Sequence, residues 1–319
     1  MSTDPRLFLD ADFSAGARLP LEKDQAHYLL TVMRRKAGDR VRVFNGRHGE
    51  WRAVIAEASR KTATLEIGEQ TRAQAGTPDL ALYFAPVKKA RTDFIVEKAT
   101  ELGARSITPV MTARTIADRV RTDRLEAIAR EAAEQTERLD LPAIGEPVSL
   151  TQLIKFWDPE RRLVFCDEAG DEDDAPWGGQ TGRARPMAEA LAAFVAPPTP
   201  ALPSRGGRDA ESASLDRPGG GELNRSQDSS ERRDAPPSPS GGEAAKADPG
   251  DRATGRTGGG RPQKWAILIG PEGGFAPEER GLLRSAAFVV PVTLGPRILR
   301  ADTAVAASMS VFQAILGDW

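Results

Sequence analysis

For 68 residues, from Ala196 to Gln263, the chain contains no Val, Ile, Met, Phe, Tyr or Trp. Such a stretch cannot bury enough apolar surface to offset the entropy of ordering it, so it divides the chain and joins no core. Gly, Pro and Ser make up 30 of the 68, and ten Lys or Arg balance ten Asp or Glu. The expectation for 196–263 is a solvated, disordered spacer, and excision of Pro198 to Arg261 is expected to spare activity. The alternative, a binding tail, lacks an aromatic anchor. The other 251 of the 319 residues suffice for two packed domains burying about 70 to 75% of their extended surface.

A single cysteine, Cys166, excludes a disulfide framework and a Cys-based zinc site, and fits a reducing compartment. No run of eighteen apolar residues occurs, and the opening MSTDPRLFLDADF carries acids where a signal peptide has a basic and then an apolar region. A cytoplasmic chain with no membrane span and no metal is expected. The formal charge of -2 favours no nucleic-acid partner until the charges are mapped locally.

Between Arg40 and Ile67 the pattern has period two. Val41 and Val43 alternate with Arg40 and Arg42, Asn45-Gly46 marks a turn, and Trp51, Ala53 and Ile55 alternate with Arg52 and Val54. With a third run at Ala63, Leu65 and Ile67 and an early one in RLFLDADF, residues 1–72 read as a small antiparallel barrel or curled sheet. Asp24 is read as capping a short helix that packs Leu29, Val32 and Met33 on that sheet. Arg34, Arg35, Lys36, Arg40, Arg42, Arg47 and Arg52 fall within twenty residues whose only acids are Asp39 and Glu50. Strand alternation puts Arg40 and Arg42 on one outward face. That stripe suits phosphate binding with counterion release, against the alternative of an ordinary solvated sheet face. His27 and His48 lie here without a third ligand at metal spacing.

From residue 80 the grammar changes to strands alternating with helices. Strands are expected at Leu80 to Pro86, Ile107 to Met111, Leu163 to Asp167, Trp265 to Gly270 and Val289 to Leu294. Thr92, Asp123 and Pro277 are read as opening the intervening helices. Near-continuous apolar strands flanked by helices mean a mostly parallel α/β sheet covered on both faces. Ligands of such sheets lie beyond the carboxyl ends of the strands, so chemistry is sought in the loops starting at Pro86, Asp167, Gly270 and Leu294.

The strongest local signal is ILIGPEGGFAPEE, where Gly270, Gly273 and Gly274 separate an apolar strand from a helix. A phosphate site fits poorly. The Lys-Ser/Thr pair of a P-loop is missing, the spacing is not G-x-G-x-x-G, and Glu272 repels an anion. A neutral or cationic ligand read by backbone groups suits the loop better, the alternative being a plain tight turn. A second glycine loop, LGPRILRADTA, precedes an almost wholly apolar helix. The two loops are expected to face each other across one crevice.

GPEGGF and LGPRILRADTA, with KKARTDFIVEKATELG and EAAEQTER upstream and HYLLTVMRRKAGDRVRVFNG near the start, resemble the SPOUT superfamily of RNA methyltransferases. The nearest branch is the one that makes N3-methyluridine in 16S ribosomal RNA. The resemblance covers nearly all of the chain apart from 196–263. It implies a PUA-like RNA-binding β-barrel domain over 1–72 and a methyltransferase domain over 80–319, whose parallel sheet ends in a carboxy-terminal trefoil knot. It also implies S-adenosylmethionine as cofactor, a homodimer, and 16S rRNA or the assembled small subunit as partner. By that resemblance Gly270, Pro271, Glu272, Gly273 and Gly274 line the cofactor with Leu294, Gly295, Arg297, Ile298 and Leu299. Arg300 and Asp302 are the implied catalytic pair, with aspartate where the family more often has glutamate. Thr136, Glu137 and Arg138 stand where it often has Gly-Arg-Asn. Lys88, Lys89 and Arg91, together with Arg34, Arg35, Arg40, Arg42 and Arg47, are the residues expected to grip RNA. Three other readings stay open: a non-catalytic RNA-binding or ribosome-assembly factor, a methyltransferase acting on transfer RNA, and a nucleotide-binding enzyme.

Overall fold

The structure is a computed structural model in which residues 4–117, 119–172, 178–195 and 264–319 are described. The spacer expectation for 196–263 lies outside the described residues. The amino-terminal elements are β1 (Arg6–Phe8), β2 (Arg18–Pro20), α1 (Lys23–His27), β3 (Arg40–Phe44), β4 (Glu50–Ala58) and β5 (Ala63–Arg72). They form one sheet of order β1-β3-β4-β5-β2. The alternation holds: Val41, Val43, Ala53, Ile55, Leu65 and Ile67 share one core with Leu7 and Leu29.

The curled-sheet alternative holds, while the all-antiparallel pairing and the helix cap are corrected. The sheet is a curled half-barrel with an open strand path, and β1 pairs parallel with β3 while the other pairs are antiparallel. The chain reaches β3 from β1 by a long excursion through β2 and α1, which permits a parallel pairing that a hairpin forbids. Register shifts in β4 at Glu50/Trp51, Trp51/Ala53 and Ile55/Glu57 supply the curl. The helix is capped by Glu22, whose N–H donates to the Gln25 side chain at 3.1 Å, with Asp24 only in its first turn. A π-helical turn over Tyr28–Val32 follows. Its wider winding leaves Leu29 buried but turns Val32 and Met33 outward, at 59% and 36% exposure.

The second part comprises β6 (Leu80–Phe84), α2 (Lys89–Glu101), β7 (Ser106–Met111), α3 (Thr122–Gln135), β8 (Ala143–Ile144), β9 (Val148–Ser149), α4 (Leu150–Lys155), β10 (Arg161–Cys166), β11 (Arg185–Pro186), α5 (Met187–Ala192), β12 (Lys264–Ile269), α6 (Pro277–Ser285), β13 (Val289–Thr293) and α7 (Ala301–Leu316). The sheet order is β11-β13-β10-β12-β6-β7-β8, with β9 beside β7, and every pairing is parallel. Alternate residues of each strand serve opposite faces. Leu82, Phe84, Val164, Ile267 and Ile269 pack with Ile95 and Val96 of α2 and with Val305, Met309 and Phe312 of α7. Ala81, Leu163, Phe165, Ala266 and Leu268 pack with Leu150, Leu153 and Leu283. Burial on both faces is why these strands read as continuous apolar runs.

Pro277 does open α6, but α2 and α3 are capped at Lys88 and Arg121. Thr92 instead folds back inside the first turn. Its hydroxyl donates to the Val87 carbonyl (3.0 Å) and accepts from the Val87 N–H (3.1 Å). After α5 the Phe194 ring meets Trp265 of β12 edge-on, 5.0 Å between centroids. The two parts meet at α3, where buried Arg6 bonds Glu50 (2.6 Å) and donates to the carbonyls of Ala133 (2.8 Å) and Arg138 (2.8 Å). Among the described residues no helix is long and apolar enough to cross a membrane.

Candidate functional site

Because all strands are parallel, their carboxyl ends share one rim, and the loops leaving β10 and β12 enclose a cavity of about 990 Å³ there. Gly270, Pro271, Glu272, Gly273 and Gly274 all line it. Gly274 has φ +70, a left-handed conformation that a side chain disfavours. A Cβ on Gly270 would lie 2.5 Å from the Phe275 ring, which is itself set edge-on to Phe165 at 5.1 Å. The first turn is therefore built from backbone folded tightly over an aromatic anchor.

The second glycine loop reaches the cavity through Ile298, Leu299 and Arg300, followed by Ala301 and Ala304 of α7. Leu294, Gly295 and Arg297 lie outside its lining. The reason is topological: β10 stands between β12 and β13, so the two glycine loops are not neighbours and the loop after β10 separates their first residues. Glu168 of that intervening loop holds β13's end in place. Its carboxylate accepts from the Thr293 hydroxyl and from the Leu294 N–H, each at 2.8 Å. Arg300 is the N-cap residue of α7 with an exposed side chain. Asp302 lies beside it but outside the lining. One Asp302 oxygen accepts from the Thr303 N–H at 2.9 Å, and the other is 3.9 Å from Arg91 Nε. Arg91, expected among the RNA contacts, lines the cavity and donates through Nη1 to Glu272.

The wall contributed by the β10 loop was missed as a set of residues, although the loop at Asp167 was expected to matter. Asp167 is buried and accepts from Arg280 Nε (2.8 Å) and Arg284 Nε (2.6 Å) of α6. Asp171 accepts from Arg280 Nη1 at 2.7 Å, and this hydrogen bond holds its carboxyl below the usual range. Arg280 and Arg284 also donate to the carbonyls of Ala169 (2.6 Å) and Gly182 (2.9 Å). Two arginines thus staple the wall at four points. Cys166 lines the cavity as well, but burial, followed by nearby Glu168, pushes its thiol far up, so it stays protonated and has no nucleophilic role.

A second cavity of about 390 Å³ adjoins the first across Pro271 and Glu272, which line both. Lys88 and Lys89 line it, at the start of α2. On the small sheet the basic stripe is largely committed. Arg42 binds Glu137 (2.8 Å) and faces Glu50 (3.5 Å), so it does not share a free outward face with exposed Arg40. Arg47 pairs with Asp10 and Asp12, at 3.0 and 3.4 Å. Arg34 is exposed with φ +53, and Arg35 is partly buried. His48 accepts from Asn45 at 2.9 Å, a structural contact. Arg138 is structural too, donating to the carbonyls of Thr100 (2.8 Å) and Ala104 (2.7 Å).

A parallel sheet with a glycine-walled cavity on its carboxyl rim, preceded by a small curled β sheet, defines a class of two-part α/β proteins whose ligands lie beyond the carboxyl ends of the strands. Residues 75–181 and 244–313 match the family described as RNA methyltransferase domain, and residues 21–68 match the RNA methyltransferase PUA domain. The chain belongs to this family of SPOUT-type RNA methyltransferases with an amino-terminal PUA domain.

It is 29% identical over 171 residues to the ribosomal RNA small subunit methyltransferase E of Rickettsia conorii, spanning 53% of this chain and 69% of that one. It is 33% identical over 164 residues to the protein of that name from Synechocystis, spanning 50% of this chain and 54% of that one. The matched part is therefore about half to two thirds of these relatives' length. In fold it is similar to a putative methyltransferase from Legionella pneumophila solved with S-adenosylmethionine, with TM-score 0.66, 22% identity and full coverage of both chains. A ribosomal RNA small subunit methyltransferase E from Neisseria gonorrhoeae bound to S-adenosylmethionine gives TM-score 0.65 at 20% identity, over 99% of each chain.

Proposed function

We infer that the chain transfers a methyl group from S-adenosylmethionine to N3 of a uridine in small-subunit ribosomal RNA. The observation that carries this reading is the 990 Å³ cavity, walled by the Gly270–Gly274 turn and by Ile298 to Arg300. Its volume suits a nucleoside-sized ligand. Its donor set fits this cofactor: glycine backbone for close approach, and the carboxylates Glu168 and Glu272 in the lining, which suit a cationic ligand. The relatives named above support the substrate, as does the PUA match. The reading includes the knotted threading of the carboxy-terminal segment, a homodimer, and a division of labour between an RNA-binding part over 1–72 and a catalytic part over 80–319.

Bound there, the cofactor would supply an electrophilic methyl group. The protein must take the N3 proton and stabilise the imide charge. We assign the proton to the Asp302 carboxylate, which stands behind the lining with Arg91 Nε 3.9 Å away and would take the proton through a bridging water. Arg300 faces the cavity and offers its guanidinium to a uridine carbonyl oxygen as charge builds there. Leu294, Gly295 and Arg297 then act from behind the lining, by setting the path of the chain into Ile298.

The test is labelled methyl transfer by the full chain to naked 16S rRNA, assembled small subunits and transfer RNA, with mapping of the modified base. N3-methyluridine in 16S rRNA is expected. Label in transfer RNA alone, or none anywhere despite tight cofactor binding, overturns the reading.

A further inference from the structure

We propose that the second cavity seats a nucleotide adjacent to the target uridine in the RNA, with its phosphate on Lys88, Lys89 and Arg119; the proposal rests on the methyltransferase reading above. At about 390 Å³ the cavity is at the small end of ligand sites, room for one nucleotide. It opens beside β6 and shares Pro271, Glu272 and Arg114 with the first cavity. A base lodged there is separated from the first cavity by one residue's thickness, which suits a neighbour of the base that receives the methyl group.

Its walls are of two kinds. Val87 and Leu125, both buried, give it an apolar floor, and Ile116 stands 77% exposed at the rim, where it can lie against a base face. Six cations line it against two acids, Asp93 and Glu272. Three of the six are occupied. Arg124 is bidentate on Asp93 (3.0 and 2.5 Å), Arg121 binds Asp123 (3.2 Å), and Arg114 donates to the Gly273 carbonyl (2.9 Å). Lys88, Lys89 and Arg119 have no ion-pair or hydrogen-bonding side-chain partner among the described residues. Uncommitted cations around an apolar floor match a group that is flat and apolar at one end and anionic at the other. A nucleotide is such a group, and single-stranded RNA binding combines these two contacts.

The experiment uses the full chain with a short fluorescein-labelled single-stranded RNA containing one uridine. Its Kd is read by anisotropy across a salt series for wild type, Lys89→Met, Arg119→Met and the double variant. Wild type should show a steep log–log salt dependence. Each substitution should weaken binding several-fold and reduce the slope by about 0.7, the value for one single-strand phosphate contact. Calorimetric affinity for S-adenosylmethionine equal to wild type shows that the fold is intact, and Lys88→Met replaces any variant that fails this control. Unchanged slopes and affinities overturn the proposal. So does a changed sedimentation coefficient with an unchanged slope, which would place a second copy of the chain in the cavity. A wild type that binds RNA through these residues but transfers no methyl group defeats the catalytic reading and leaves the nucleotide seat standing.

Discussion

Arg300 lines the cavity while Asp302 stays outside the lining, so the two members of the proposed pair are separable by mutation. Replacing Arg300 by Ala should lower kcat about 10²- to 10³-fold, as loss of one preorganised donor does, with cofactor Kd nearly unchanged. Single-turnover kinetics and calorimetry check this, and equal turnover removes Arg300 from the mechanism. Gly270→Ala is the opposite case. Its Cβ would press on Phe275 at 2.5 Å, and that ring is fixed against Phe165. Overpacking of this kind costs about 1 to 3 kcal/mol, so both Tm and cofactor affinity should fall. Arg42 shows where residue-level reading of the sequence stops. Alternation correctly put it on the non-core face of β3, but that face is covered locally by Glu50 and Glu137, and the latter comes from a distant part of the chain. Charge reversal at Arg42 should therefore lower Tm, whereas reversal at exposed Arg40 should leave Tm unchanged and weaken RNA binding.

At the scale of elements, the wall after β10 depends on α6. Arg284→Met removes the 2.6 Å bond to buried Asp167 and the tie to the Gly182 carbonyl. A hydrogen bond to a buried charge is worth about 1.5 to 3 kcal/mol, so we expect weaker cofactor binding, by calorimetry, and faster amide exchange in 167–172 than in the β strands. Unchanged exchange there would mean that the wall is held by other contacts. The five long strands were legible because each is a mainly apolar run, and four of them are followed by Gly, Pro or an acid within two residues. Strands β8, β9 and β11 were not, since two residues carry no period. Thr92 and Asp123 look like caps by residue type, yet both helices start earlier, at positions marked by Lys88 and Arg121. Both glycine loops were visible, but the strand that comes between them in space was not. Strand order is a long-range property, and it determines that Glu168, not a glycine, abuts Leu294.

Over the whole molecule, the two parts are joined by charge. Glu137, at φ +62, accepts from Arg42 at 2.9 Å and from Arg72 at 3.2 Å. The Arg42 hydrogen bond holds its carboxyl below the ordinary glutamate range. A folded-state pKa below the unfolded value of about 4.3 gives stability that is complete above that pH and lost as pH falls through the folded value. Urea denaturation from pH 6 to pH 3 should therefore show a shallower acid decline for Glu137→Gln than for wild type. Parallel curves would show that the cluster adds nothing to the joint. At the far end of the large sheet the Phe194 and Trp265 rings pin the two flanks of 196–263 together, where β12 begins and away from the rim that carries both cavities. The described chain therefore breaks off and resumes beside one pair of packed rings. That makes this seam a natural socket for a guest module, such as a fluorescent reporter or an affinity handle, carried by a working enzyme.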